Sequence, residues 1–323
     1  MSRPEILLLS PMMPEPRALL EQDCVVHDLP AAADREALIA AVAPRVRAVA
    51  GFGGVSAGLI GRLPRLEIIA NIGVGYDGVD VAAAAARGVV VTNTPDVLTE
   101  EVADLAMGLL IATVRRIPQA DRFVREGRWL HGPFPLTASL RGRTVGVLGL
   151  GRIGEAIARR CAAFGLKVEW HSRRRRPEIP WPWRPGPVEL AQSCDILVVV
   201  APGGEATRNL VNAEVLRALG PEGVLINVAR GSVVDERALV AALQDGTIAA
   251  AGLDVFADEP NVPAELVAMD NVVLLPHVGS ASVTTRNAMS RLAVDNLLSW
   301  FAGKGPLTPV PETPWPVRLP APV

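Results

Sequence analysis

Short apolar runs alternate with helix-like segments along most of the chain. The runs are Ile6–Leu9, Val46–Ala50, Leu66–Ile72 and Val89–Val91, then Thr144–Leu148, Lys167–Trp170, Asp195–Val200, Val224–Val228, Ala250–Val255 and Val272–Leu275. Many are rich in valine and isoleucine, without strict alternation of apolar and polar positions. Strands covered on both faces read this way, as in a parallel sheet. Their alternation with helices predicts βαβ units and a doubly wound α/β architecture.

Two longer helices stand out. Thr99 is placed to cap one, with Glu100 and Glu101 favourable in its first turn and Val102, Leu105, Ala106, Leu109 and Leu110 at helical spacing. The second spans roughly Val283–Phe301, with apolar Met289, Leu292, Ala293, Leu297 and Trp300. Read as crossings between domains, they predict one discontinuous domain, 1–98 with 285–323, and one contiguous domain, 99–284. The proline-dense tail after Gly305 predicts little regular structure. No internal repeat recurs at a fixed period.

Composition narrows the function classes. A chain of 323 residues accommodates two cores. Its net charge of −2 lacks the basic footprint of a nucleic-acid binder, so the arginines 173–176 need a local explanation. Cys24, Cys161 and Cys194 are widely spaced without a CxxC pair, which argues against disulfides or zinc and for buried free thiols. No metal is expected. Glu5, Pro11 and Pro14 interrupt the first apolar stretch, so it does not read as a signal peptide. No apolar run reaches the ~18 residues of a membrane span. A soluble cytoplasmic protein, binding neither nucleic acid nor membrane, is expected.

The first chemical motif is Gly149-Leu150-Gly151-Arg152-Ile153-Gly154, which follows the strand-like Arg143–Leu148 and precedes the helix-like Glu155–Phe164. A lone GxGxxG is weak, but within a βαβ unit it reads as a dinucleotide loop. Gly149 permits the tight turn, Gly151 lets the pyrophosphate approach the backbone, and Gly154 lets helix and strand pack closely. The helix N-terminus then faces the phosphates. On that helix, Ile157, Ala158, Cys161 and Ala162 share one side.

The end of the next strand selects the cofactor. An NAD site usually has an acidic residue ~20 residues after the glycines. The sequence there is Trp170-His171-Ser172-Arg173-Arg174-Arg175-Arg176, without a carboxylate. Ser172 offers a hydrogen bond, and Arg173 and Arg174 offer charge and fork geometry to a 2′-phosphate. NADPH is therefore favoured, with NADH binding more weakly. Arg175 and Arg176 read as solvated loop residues.

Three polar residues follow later strands: Arg230 after Leu225–Ala229, Glu259 in Gly252–Pro260, and His277 in Val273–Ser280. Reducing a keto acid needs a guanidinium on the carboxylate and carbonyl, a general acid for the oxygen, and a carboxylate that keeps a histidine acid oriented. Singly, each residue has a plain structural explanation; jointly they match the chemistry.

Nearly the whole chain resembles the D-isomer-specific 2-hydroxyacid dehydrogenases. The carrying segments are NIGVGYDGVD (71–80), TNTPDVLTEEVADLAMGLL (92–110), GRTVGVLGLGRIG (142–154), INVARGSVVDERALVAAL (226–243), GLDVFADEP (252–260) and LLPHVGS (274–280). FPLTASLRGRTVG (134–146), the HSRR turn (171–174) and APGGEATRNLVN (201–212) look most like the NADPH-preferring glyoxylate, hydroxypyruvate and hydroxyphenylpyruvate reductases. The resemblance implies a Rossmann NAD(P)-binding domain inserted into a flavodoxin-like substrate domain. It implies catalytic Arg230, Glu259 and His277, and substrate carboxylate bound by N–H groups at Val74 and Gly75, with Arg230 and His277 beside it. Arg152 and Ile153 would meet the pyrophosphate, and Asp254 the nicotinamide carboxamide. Ala201, Thr207, Val228, Ala229 and Gly279 would line the cofactor site with Arg230 and His277. It also implies a homodimer formed through cofactor domains and a hinge that closes over a small 2-keto acid, excluding water.

Departures bear on substrate. The chain is expected to lack the extra C-terminal domain of many phosphoglycerate dehydrogenases, and the loop Gly51-Phe52-Gly53-Gly54 is bare of the cationic residues that a phosphorylated substrate would want. Two alternatives remain open: a dinucleotide-sensing corepressor-like binding protein, against which the arginine turn speaks, and a dehydrogenase of the same family acting on another 2-hydroxy acid.

Overall fold

The computed structural model describes residues 3–316, which divide into two α/β units. The first runs to Leu98 and resumes at Ser282. Its strands are β1 (Glu5–Leu8), β2 (Val25–Asp28), β3 (Val46–Gly51), β4 (Ile68–Asn71) and β5 (Val90–Thr92), all parallel in the order β2-β1-β3-β4-β5. That is the flavodoxin-like order. Helices α1 (Pro14–Asp23), α2 (Arg35–Val42), α3 (Ala57–Arg62) and α4 (Val81–Ala86) are the crossovers. Asp34, Ser56 and Asp80 cap the last three by accepting the N–H three residues on, each cap worth about 1 kcal/mol.

Strand β2 is absent from the apolar pattern. It lies at the sheet edge with half-buried or exposed side chains, and His27 Nε2 meets Glu5 Oε2 at 2.7 Å. An edge strand paired on one side needs no continuous apolar run.

The second unit spans Thr99–Ala281. It opens with α5 (Thr99–Val114) and α6 (Ile117–Arg125). Thr99 is the first helical residue of α5 and not its cap. Then come β6 (Thr144–Leu148), α7 (Arg152–Ala163), β7 (Lys167–His171), α8 (Pro187–Gln192), β8 (Ile196–Val199), α9 (Ala213–Leu219) and β9 (Val224–Asn227). Helix α10 (Glu236–Gln244), β10 (Ala250–Leu253), α11 (Ala264–Ala268) and β11 (Val272–Leu274) complete it. The sheet is parallel, in the order β11-β10-β9-β8-β6-β7.

Beyond β7 a single parallel bridge joins Trp170 to Trp183, with Trp170 N–H on Pro182 O (3.0 Å) and Arg184 N–H on Trp170 O (2.8 Å). Counted as a strand, it makes the sheet's order 3-2-1-4-5-6-7, the dinucleotide-fold order 3-2-1-4-5-6 extended by β11. Pro180, Pro182 and Pro185 flank it and lack N–H donors, so the ladder stops after one bridge. In α7 the buried face is Ala156, Ile157, Ala158 and Cys161; Ala162, expected on it, is exposed.

Helix α12 (Val283–Phe301) returns the chain to the first unit, capped by Ser282 and packed on α1 and β4. Residues 305–316 contain no helix or strand, yet they are tied down. Pro309 bridges Thr92, Val310 is buried, and Thr313 Oγ1 accepts the Val91 N–H at 2.8 Å. The rest of the predicted tail, 317–323, lies outside the described residues. All three cysteines are buried and free; burial pushes the thiols of Cys161 and Cys194 up to about 12, so neither is a nucleophile near neutrality. No helix among the described residues is long and apolar enough to cross a membrane.

Candidate active site

The glycine loop joins β6 to α7, and its glycines face different surroundings. Gly149 has φ +102°, and a Cβ there would lie 2.6 Å from the Ala201 nitrogen. A Cβ on Gly154 would lie 2.2 Å from Gly149 O. At Gly151 a Cβ would meet nothing within 4 Å, leaving open space at the helix start. No side chain caps α7, so its first turn presents backbone N–H groups and the positive end of the helix. Arg152 is exposed and Ile153 half-buried at that turn.

The specificity turn leans on this loop. Ser172 Oγ accepts the Leu150 N–H at 2.7 Å, which leaves its own proton to donate. Arg173 and Arg174 are exposed and make no hydrogen bond or ion pair among the described residues. Arg175 is exposed, as a solvated loop residue would be, whereas Arg176 corrects that expectation. Arg175 stacks on Trp183 at 5.9 Å, and Arg176 donates to Leu150 O (3.0 Å) and Glu155 Oε2 (3.2 Å). Leu150 is thus held at its N–H by Ser172 and at its carbonyl by Arg176.

His277 and Glu259 meet. His277 Nδ1 lies 2.7 Å from Glu259 Oε2, while Glu259 Oε1 accepts the Phe256 N–H at 3.0 Å. The imidazole side chain remains 44% exposed. His277 has φ +52°, a left-handed conformation costing about 1–2 kcal/mol. Asp254 supports it: its carbonyl accepts the His277 N–H (2.9 Å), and its carboxylate accepts Val278 N–H (2.7 Å) and Gly279 N–H (2.8 Å). Burial pushes the Asp254 carboxyl up, against those two N–H bonds and the nearby His277. Asp254, only 1% exposed, therefore positions the His277 turn directly.

Arg230 follows β9. Asn227 braces its turn, accepting Ala229 N–H (3.0 Å) and donating to Arg230 O (3.1 Å). A Cβ on Gly231 would fall 1.9 Å from Phe256 C and O, so this turn packs backbone to backbone on the segment that leads to Glu259. Val228 and Ala229 are buried, as is Ala201 against Gly149. Thr207 turns its hydroxyl into its own loop, 2.6 Å from Pro202 O. In the first unit, Val74 and Gly75 sit half-buried just after β4.

Sequence reasoning missed the braces: Asn71, Asn93, Asn227, Arg176 and Trp183. A signal existed for two of them. Asn71 and Asn227 end the apolar runs of β4 and β9, and a buried amide must find partners.

A family model described as the NAD-binding domain of D-isomer specific 2-hydroxyacid dehydrogenases matches residues 107–279. The chain is 51% identical over 267 residues to a glyoxylate/hydroxypyruvate reductase of Arabidopsis thaliana, covering 82% of this chain and 85% of that one. It is 50% identical to hydroxyphenylpyruvate reductase of Plectranthus scutellarioides, with 84% and 88% covered. The crystal structure of an NADPH-dependent glyoxylate/hydroxypyruvate reductase from Sinorhizobium meliloti, in complex with NADP and malonate, superposes with a TM-score of 0.91. Its identity is 54%, covering 99% of this chain and 100% of that one.

Proposed function

The chain belongs to the D-isomer specific 2-hydroxyacid dehydrogenases, and from that premise we propose that it reduces small 2-keto acids such as glyoxylate or hydroxypyruvate to D-2-hydroxy acids with NADPH. The observation that carries this reading is the His277–Glu259 contact of 2.7 Å. It leaves one imidazole nitrogen committed to a carboxylate and the other available to an oxygen.

The residues fit the cofactor. The open space at Gly151, the uncapped start of α7 and the unpaired Arg173 and Arg174 suit a pyrophosphate and a 2′-phosphate. When bound, NADPH supplies the hydride. His277 donates the proton from Nε2 to the carbonyl oxygen and regains it from solvent, with Glu259 holding the ring through Nδ1. The Arg230 guanidinium grips the carboxylate and polarises the carbonyl. The N–H groups of Val74 and Gly75 receive the carboxylate.

We place the enzyme in the cytoplasm as a homodimer formed through its cofactor-binding units. Its three free cysteines suit a reducing compartment. An assay at 340 nm with NADPH and a panel of 2-keto acids, with formate and a phosphorylated acid added, tests the reading. Oxidation of NADPH with glyoxylate or hydroxypyruvate is expected. No turnover with any member, despite NADPH binding, would favour a dinucleotide-sensing role.

A further inference from the structure

Three consecutive carbonyls in the loop after β4 are pulled in by side-chain amides. Asn71 Nδ2 donates to Gly73 O at 3.0 Å and to Gly75 O at 3.1 Å. Asn93 Nδ2 donates to Val74 O at 2.9 Å. Gly73 O also accepts the Thr94 N–H at 2.9 Å.

A trans peptide is planar, so the N–H of each residue points opposite to the carbonyl before it. Fixing the carbonyls of 73, 74 and 75 therefore turns the N–H groups of Val74, Gly75 and Tyr76 away from the asparagines. None of these three N–H groups has an acceptor among the described residues, although all three residues are half-buried. Backbone N–H groups shielded from solvent need an acceptor, and a row of three turned the same way suits an anion.

The braces are themselves locked. Asn71 ends β4 and is buried. Asn93 donates its N–H to Thr308 O (3.3 Å), and its carbonyl accepts from Thr308 Oγ1 (2.6 Å). Asn296 of α12 in turn accepts the N–H groups of Leu307 (2.9 Å) and Thr308 (3.0 Å). Tyr76 turns its hydroxyl to Glu312 (3.1 Å), leaving only its backbone to face the anion.

We infer that Asn71 and Asn93 are positioning residues that aim a three-donor carboxylate site, Val74, Gly75 and Tyr76, at the substrate. This rests on the keto-acid reading above. Releasing either amide lets its peptides rotate, so carboxylate binding weakens while the NADPH site in the other unit is untouched.

The test is Asn93→Ala, with Asn93→Ser as a milder variant at the same half-buried position, both checked by thermal melting. KM for glyoxylate is expected to rise about tenfold or more, as for loss of one hydrogen bond, with a smaller change in kcat at saturation. The dissociation constant for NADPH should stay within about twofold of wild type. Calorimetric binding of malonate to the NADPH-loaded protein should weaken in parallel. Unchanged malonate binding and KM in both variants would overturn the inference, as would an equal loss of NADPH affinity. Malonate binding also separates the two claims. Wild-type protein that binds malonate but reduces no keto acid defeats the reductase reading alone. Wild-type turnover with malonate binding insensitive to Asn93 defeats the inference alone.

Discussion

On the reading proposed above, each unit offers a row of backbone N–H groups to an anion, and the two build it from opposite materials. In Gly149–Gly154 the shape is enforced by what must be missing: a side chain at 149 or 154 would overlap backbone. In 71–76 it is enforced by what is present, two asparagine amides that hold three carbonyls. Exclusion leaves a fixed trace in sequence, because glycine alone survives at such positions. Bracing leaves a fainter one, because an asparagine shows its role only once its partners are known. Asn227 repeats the bracing device within the second unit, beside Arg230.

The contrast is sharpest at the glycines. Gly154→Ala puts a methyl into Gly149 O, and NADPH affinity should fall more than about 100-fold, with a lowered melting temperature. Gly151→Ala has open space and φ −80°, so melting should hold while NADPH binding weakens, because the methyl takes the room of the pyrophosphate. Fluorescence titration and thermal melts read both. Equal effects of the two substitutions on stability would break the distinction between fold glycine and ligand glycine.

The arginine turn comes next. Replacing Arg173 and Arg174 together should raise KM for NADPH by roughly tenfold or more and leave KM for NADH nearly unchanged. Arg176→Ala should raise both by a few-fold, because it releases Leu150 O and not a phosphate contact. Steady-state kinetics with both cofactors separates recognition from bracing.

The smallest effect is electrostatic. Hydrogen bonding from Arg184 holds the Glu169 carboxyl below the usual carboxylate range, against burial and with help from Ser193. That pair fastens the Trp183 segment along β7. A folded pKa below the unfolded one stabilises above the ordinary carboxylate pKa of about 4.3, and the contribution is lost as pH falls through the folded value. Since Arg184 is partly exposed, the effect should stay below about 1 kcal/mol. Acid melts of Glu169→Gln should show a shallower loss of stability than wild type below that pH.

Much of the fold was legible because buried parallel strands read as apolar runs, and the glycine loop because Gly149 and Gly154 are sterically required. Strand β2 escaped because an edge carries His27 and Asp28 where a central strand would carry valine. The third strand of the second unit escaped because prolines cut it to one bridge. His277 and Glu259 were placed by chemistry and resemblance, and the structure brings their side chains together. Arg176 was misread because a guanidinium reaches far enough to leave its own turn and hold the glycine loop. The sequence shows the charge but not the reach.

The most direct test is turnover of His277→Ala beside its NADPH dissociation constant. The account predicts that kcat for keto-acid reduction falls by about 10²–10⁴-fold while NADPH binds as in wild type. Wild-type kcat in that variant would contradict it.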